Sequence, residues 1–91
     1  MFDIKIDSDN GRVLGEIIVD SYFFDKSKYD YAFYLYRNNE RIDLAWYSNS
    51  MSVIFNVEDA FGDFYIKAYI RDIAYGDKRA FSSNVLAIKI N

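Results

Sequence analysis

A chain of 91 residues, 52% of them hydrophobic, has room for one folded domain with a modest core and is not a disordered segment. It holds no cysteine and no histidine, which excludes disulfides, thiolate or imidazole metal sites, Ser-His-Asp triads and Cys-His pairs within the chain. Its net charge is -3, and eleven Lys and Arg scattered among fourteen acids supply none of the positive potential that nucleic acid requires.

Phe2, Ile4 and Ile6 alternate with Asp3, Lys5 and Asp7, which predicts a first strand with one buried face. Ser8-Asp9-Asn10-Gly11 predicts a turn, because Asn-Gly accepts positive φ at little cost. Val13, Gly15, Ile17 and Val19 against Leu14, Glu16, Ile18 and Asp20 make a second strand. The cluster Tyr22-Phe23-Phe24 at its end is expected to cap the core, and Asp25 to Asp30 reads as a polar loop. Tyr31 to Arg37 is a third strand, apolar on both faces, turned by Asn38-Asn39. Ile42, Leu44 and Trp46 form a fourth, and their alternation assigns Trp46 to the core. Ser48-Asn49-Ser50 turns into a fifth strand, Met51 to Val57, and Glu58 to Gly62 is a corner. Phe64, Ile66, Ala68 and Ile70 alternate with Tyr65, Lys67, Tyr69 and Arg71 in the clearest strand of the chain. Tyr75-Gly76-Asp77-Lys78 turns it, and Leu86, Ile88 and Ile90 share one face of the last strand.

No helical periodicity persists for the 10–12 residues a helix needs. Seven short strands between turns predict an all-β fold, a seven-stranded antiparallel β-sandwich over residues 1–91, with no repeat and no linker. Ending on a strand points to a module of a larger protein. No stretch approaches the ~20 apolar residues of a membrane span, so no membrane insertion is expected. Met1-Phe2-Asp3 begins no signal peptide, and with no cysteine a cytoplasmic setting is expected.

Nine Tyr, eight Phe and one Trp make the chain 20% aromatic, a composition that suits pleated, half-buried surfaces. Tyr29, Tyr31 and Phe33, then Trp46, then Phe55 and Val57, then Gly62 and Phe64-x-Ile66-x-Ala68-x-Ile70, follow one another in a fixed order. With Phe81-Ser82-Ser83-Asn84-Val85 and the closing Leu86-x-Ile88-x-Ile90, residues 29–90 resemble fibronectin-III/immunoglobulin-like modules, including the bacterial triple-tyrosine type. The resemblance implies a non-catalytic accessory domain, in some relatives beside enzymes of surface polysaccharide metabolism. One position departs from it. The corner tyrosine of such modules, whose hydroxyl ties down the chain, aligns with Phe64, which has no hydroxyl.

If Phe64, Ile66, Ala68 and Ile70 face the core, then Tyr65, Lys67, Tyr69 and Arg71 face outward, and so do Tyr34 and Tyr36 on the third strand. These six residues form the candidate binding face, with Tyr47 extending it. Tyr and Arg are enriched at interface hot spots, so the face suits a neighbouring domain, a partner protein or weak self-association. The alternative is a carbohydrate-binding module that stacks pyranose rings on tyrosine and takes polysaccharide. A third reading has the tyrosines simply covering a two-sided sheet.

No catalytic residue, cofactor or metal site is expected. Asp7, Asp9 and Asn10 are residue types of a calcium loop, but Ile18 stands where an EF-hand needs its glutamate. Asp20, Asp25 and Asp30 are spread over a loop. No carboxylate pair stands out for glycoside hydrolysis. Ser82-Ser83 has neither a base nor the glycines of a nucleophile elbow. The chain reads as no enzyme.

Overall fold

The computed structural model describes residues 2–89. Period-two alternation, closed by residues that accept positive φ, produces eight strands: β1 (Phe2–Asp9), β2 (Arg12–Val19), β3 (Tyr29–Arg37), β4 (Glu40–Ser48), β5 (Ser52–Asn56), β6 (Gly62–Asp72), β7 (Lys78–Ser82) and β8 (Leu86–Ile88). All pairings are antiparallel. One sheet has the order β1-β2-β5; the other has the order β4-β3-β6-β7, with β8 also on β6. The two sheets share a core of Ile4, Val13 and Ile17 against Tyr31, Phe33, Leu35, Phe64, Ile66 and Ile70, joined by Phe55. The fold is thus all-β, two antiparallel sheets face to face.

Two hairpins are set by asparagine. Asn10 (φ 48°) and Gly11 (φ 78°) link β1 to β2 with Asp9 opposite Arg12. Asn38 (φ 49°) and Asn39 (φ 66°) link β3 to β4 with Arg37 opposite Glu40. Positive φ at both central residues is what a tight two-residue hairpin requires. The first turn is shorter than Ser8-to-Gly11, because Ser8 and Asp9 remain in the ladder.

The expected seven strands are eight because the last one breaks. β7 and β8 pair in line along one edge of β6, the first against Lys67–Arg71 and the second against Gly62–Phe64. In the gap, Ser83 N–H donates to the Ile66 carbonyl (2.8 Å), and Ile66 N–H donates to the Ser83 hydroxyl (2.9 Å). The hydroxyl thus stands in for a ladder carbonyl. Leu86 and Ile88 are half-buried, and Ile90 lies outside the described residues.

The aromatic cluster after β2 does not act as one cap. Phe23 N–H donates to the Ser21 hydroxyl (3.2 Å) in a local turn, and Tyr22 and Phe23 are fully solvent-exposed. Phe24 alone folds back, edge-on to Phe2 at 5.4 Å and stacked on Tyr29 at 5.0 Å.

Tyr31 is fully buried, and its hydroxyl donates to the Lys26 carbonyl (3.0 Å). Burial, then the neighbouring Tyr29, Asp25 and Asp30, raises its pKa above the ordinary tyrosine value. The folded state therefore holds this proton at a pH where the unfolded chain releases it. Tyr31's contribution is fully present below the unfolded tyrosine pKa of about 10 and is lost as pH rises through the folded value. Tyr31→Phe is expected to cost about 1 kcal/mol at neutral pH, one hydrogen bond, and to flatten the alkaline decline in denaturation midpoint. An unchanged alkaline limb would contradict this assignment.

Candidate functional site

The candidate face is the outer surface of the β4-β3-β6-β7 sheet. Phe64, Ile66, Ala68 and Ile70 of β6 are buried, so Tyr65, Lys67, Tyr69 and Arg71 point away from the core and are half-buried. β3 lies beside β6 with Tyr36 opposite Tyr65, Tyr34 opposite Lys67, Ala32 opposite Tyr69 and Asp30 opposite Arg71. The six residues read from the sequence thus come together on one face, as their alternation requires.

Their packing is specific. Tyr36 and Tyr65 stack with centroids 4.7 Å apart and planes 4° from parallel. Tyr34 and Tyr69 pair diagonally at 5.0 Å. Each pair adds about 0.5–1.5 kcal/mol beyond burial, enough to hold the rings in fixed orientations. Cations then cover the rings. Arg41 Cζ lies 5.1 Å from the Tyr34 centroid, Lys67 Nζ 5.5 Å from Tyr69, and Arg71 Cζ 3.9 Å from Tyr47. Arg71 also meets Asp30 through two hydrogen bonds, Nε to Oδ1 at 3.0 Å and Nη2 to Oδ2 at 2.5 Å. That fork raises the Arg71 pKa, against the opposing effect of burial, and keeps the guanidinium charged. Burial raises the Tyr47 hydroxyl above its usual range, against the opposing pull of Arg71.

Trp46 is not in the core; it is 63% exposed, and Ile42 and Leu44 are exposed beside it. The cause is a register shift near Ile42. Arg41 opposes the outward Tyr36, but Asp43 rather than Ile42 opposes the buried Leu35, so Leu44 lies opposite Tyr34 and Trp46, two residues on, faces out with it. A second shift, between the pairs Tyr31–Ser48 and Phe33–Ala45, sets both Trp46 and Tyr47 against the single Ala32. Trp46 sits edge-on to Tyr47 at 5.3 Å. Sequence reading also missed Asp30, Arg41 and Lys78. The pairing of β3 with β6 places Asp30 opposite Arg71, and the pairing of β6 with β7 places Lys78 there too.

The corner without a tyrosine is tied from another direction. Arg37, at the end of β3, donates from Nη2 to the Asp59 carbonyl (2.6 Å) and from Nε to the Phe61 carbonyl (3.1 Å). Its guanidinium also lies 5.0 Å from the Phe61 ring and 5.5 Å from the Phe64 ring. Asn38 adds its side chain, which accepts from Asp63 N–H (3.0 Å). Phe64 is fully buried and Tyr65 faces out.

The chain matches no protein-family model, no curated protein and no solved structure. Among the described residues, no group of three or more acidic, histidine or cysteine side chains is placed to hold a metal ion, and no helix is long and apolar enough to cross a membrane. The tyrosine face is broad, and several hollows lie elsewhere: beneath Leu14 and Ile54, beside Phe2 and Arg79, and between Lys28 and Tyr75.

Proposed function

We propose that this chain is a non-catalytic, fibronectin-III-like accessory module of a larger bacterial protein, and that the outer tyrosine face is its docking surface for protein. The strand order supports the family reading. β1, β2 and β5 correspond to strands A, B and E of an immunoglobulin-like sandwich, and β4, β3, β6 and β7–β8 to C′, C, F and G. The observation that carries the docking reading is the state of the tyrosine rings. They are locked by stacking on each other and by cations on their faces, while among the described residues none of the hydroxyls of Tyr34, Tyr36, Tyr65 and Tyr69 is hydrogen-bonded within the chain. A rigid aromatic surface with open hydroxyls and cations loses little entropy on docking.

The carbohydrate reading draws on the same hydroxyls and cations, which suit acidic sugars of a surface polysaccharide. It needs free ring faces, however, and one face each of Tyr36 and Tyr65 is taken by their stack, while Arg41 and Lys67 lie over Tyr34 and Tyr69. An amide chemical-shift titration against neutral and acidic glycans separates the two. Docking to protein is expected to leave Tyr34, Tyr36, Tyr65 and Tyr69 unshifted. Saturable shifts at those four residues would overturn it in favour of carbohydrate.

A further inference from the structure

The two outer faces of the sandwich carry opposite charge. On the tyrosine face, Arg71 is neutralised by Asp30 and Asp63 adds one carboxylate at the start of β6, while Arg41, Lys67 and Lys78 have no ion-pair partner among the described residues and leave the face net positive. On the outer face of β1-β2-β5, Arg12 is neutralised by Asp9 (2.6 Å), which leaves Asp3, Asp7 and Glu16 against Lys5. That second face is also partly apolar: Ile18 and Ile54 are 46% and 58% exposed. It holds a shallow hollow of about 260 Å³ at Leu14 and Ile54, whose charged lining is Asp7 and Glu16 with Lys5, one carboxylate in excess. Carboxylates around an apolar floor are the complement of cations set among tyrosines.

We propose that the tyrosine face of one copy docks on the outer β1-β2-β5 face of a second copy, so that copies stack back to front. The inference rests on the docking reading above and names its occupant. A face-to-face dimer is disfavoured, because it would set Arg41, Lys67 and Lys78 against their own copies. The domain extends 46 by 22 by 19 Å, so its broad side has room for the roughly 800 Å² per partner of a standard interface. Because the two contacting faces differ, the contact is heterologous and open-ended.

Sedimentation velocity on charge-reversed variants tests it. Lys67→Glu with Lys78→Glu disables the tyrosine face, and Glu16→Lys disables the opposite one. In low salt the wild-type chain is expected to show an average mass that at least doubles toward millimolar concentration and keeps rising. Added salt should weaken this association several-fold. Each variant alone should remain monomeric, and an equimolar mixture should form pairs and stop there, since each variant keeps one working face. Circular dichroism confirms that the variants are folded, and Lys78→Glu alone, at an exposed position, serves should the double change unfold. A wild-type chain that stays monomeric, a dimer that saturates at two copies, or a mixture that fails to pair would overturn stacking. None of these would touch docking to another protein, which falls only if the face takes up glycan or meets no protein.

Discussion

Gly15→Ala is expected to lower stability by about 2 kcal/mol, although it adds one methyl to a β-strand. A Cβ at Gly15 would stand 2.6 Å from Ile66 Cδ1 and 3.1 Å from Val53 Cγ1. Gly15 faces inward from β2, where the two sheets approach, and Ile66 is fully buried beneath it. Overpacking of this kind costs ~1–3 kcal/mol, since the neighbours must leave their rotamers or the sheets must part. The obstructing atom is the terminal methyl of Ile66, so its removal is the internal control. Ile66→Val alone should cost about 1 kcal/mol. The pair Gly15→Ala with Ile66→Val should cost less than the sum of the two single changes, by about 1 kcal/mol. Urea denaturation midpoints of the four proteins measure this. Strict additivity would mean that the sheets relax apart and the contact is not the cause.

Arg37→Ala is expected to cost about 2 kcal/mol and to loosen the corner before β6. One side chain holds two carbonyls, of Asp59 and Phe61, and covers two rings, of Phe61 and Phe64. The carbonyls belong to a segment where Asp59 (φ 49°) and Gly62 (φ 114°) hold positive φ, and a Cβ at Gly62 would stand 3.1 Å from Asn38 Oδ1. Arg37→Lys should recover little, because an ammonium has neither the planar fork nor the stacking surface. Amide exchange at residues 57–63 should quicken in both variants. Exchange unchanged there would show that Asn38 suffices to tie the corner.

The corner also shows where sequence reading stops. Alternation of apolar residues assigned the inward faces of β1, β2 and β6, and through β6 the outward Tyr65, Lys67, Tyr69 and Arg71, because strand geometry admits one periodicity. The absent corner hydroxyl was legible as Phe64. Its replacement by Arg37 was not, since the contact spans more than twenty residues and no local pattern encodes it. Trp46 was misplaced for a related reason. A register shift near Ile42 adds one residue to β4, and past it the parity reverses, so Leu44 and Trp46 face outward. Tyr22 and Phe23 have the composition of core residues and the environment of a loop. A hydroxyl at Ser21 turns the chain so that both rings face water.

The face itself was half legible. Its tyrosines, Lys67 and Arg71 followed from parity alone. Arg41 and Lys78, which lie over Tyr34 and Tyr47, did not, because they come from β4 and β7, the strands that flank β3 and β6. That difference bears on function. Bare tyrosines invite a sugar ring, whereas rings with a guanidinium or ammonium group over them, as at Tyr34, Tyr69 and Tyr47, present hydroxyls and charge.

The most direct measurement is site-specific photo-crosslinking in the cells that make the protein, with benzoylphenylalanine placed in turn at Tyr34, at Tyr69 and, as a control outside the sheet, at the fully exposed Tyr22 in the loop after β2. Discrete protein adducts from Tyr34 and Tyr69, absent from Tyr22, are the expected result. No adduct from either Tyr34 or Tyr69, or equal adducts from all three, would contradict the assignment of this face as a docking surface.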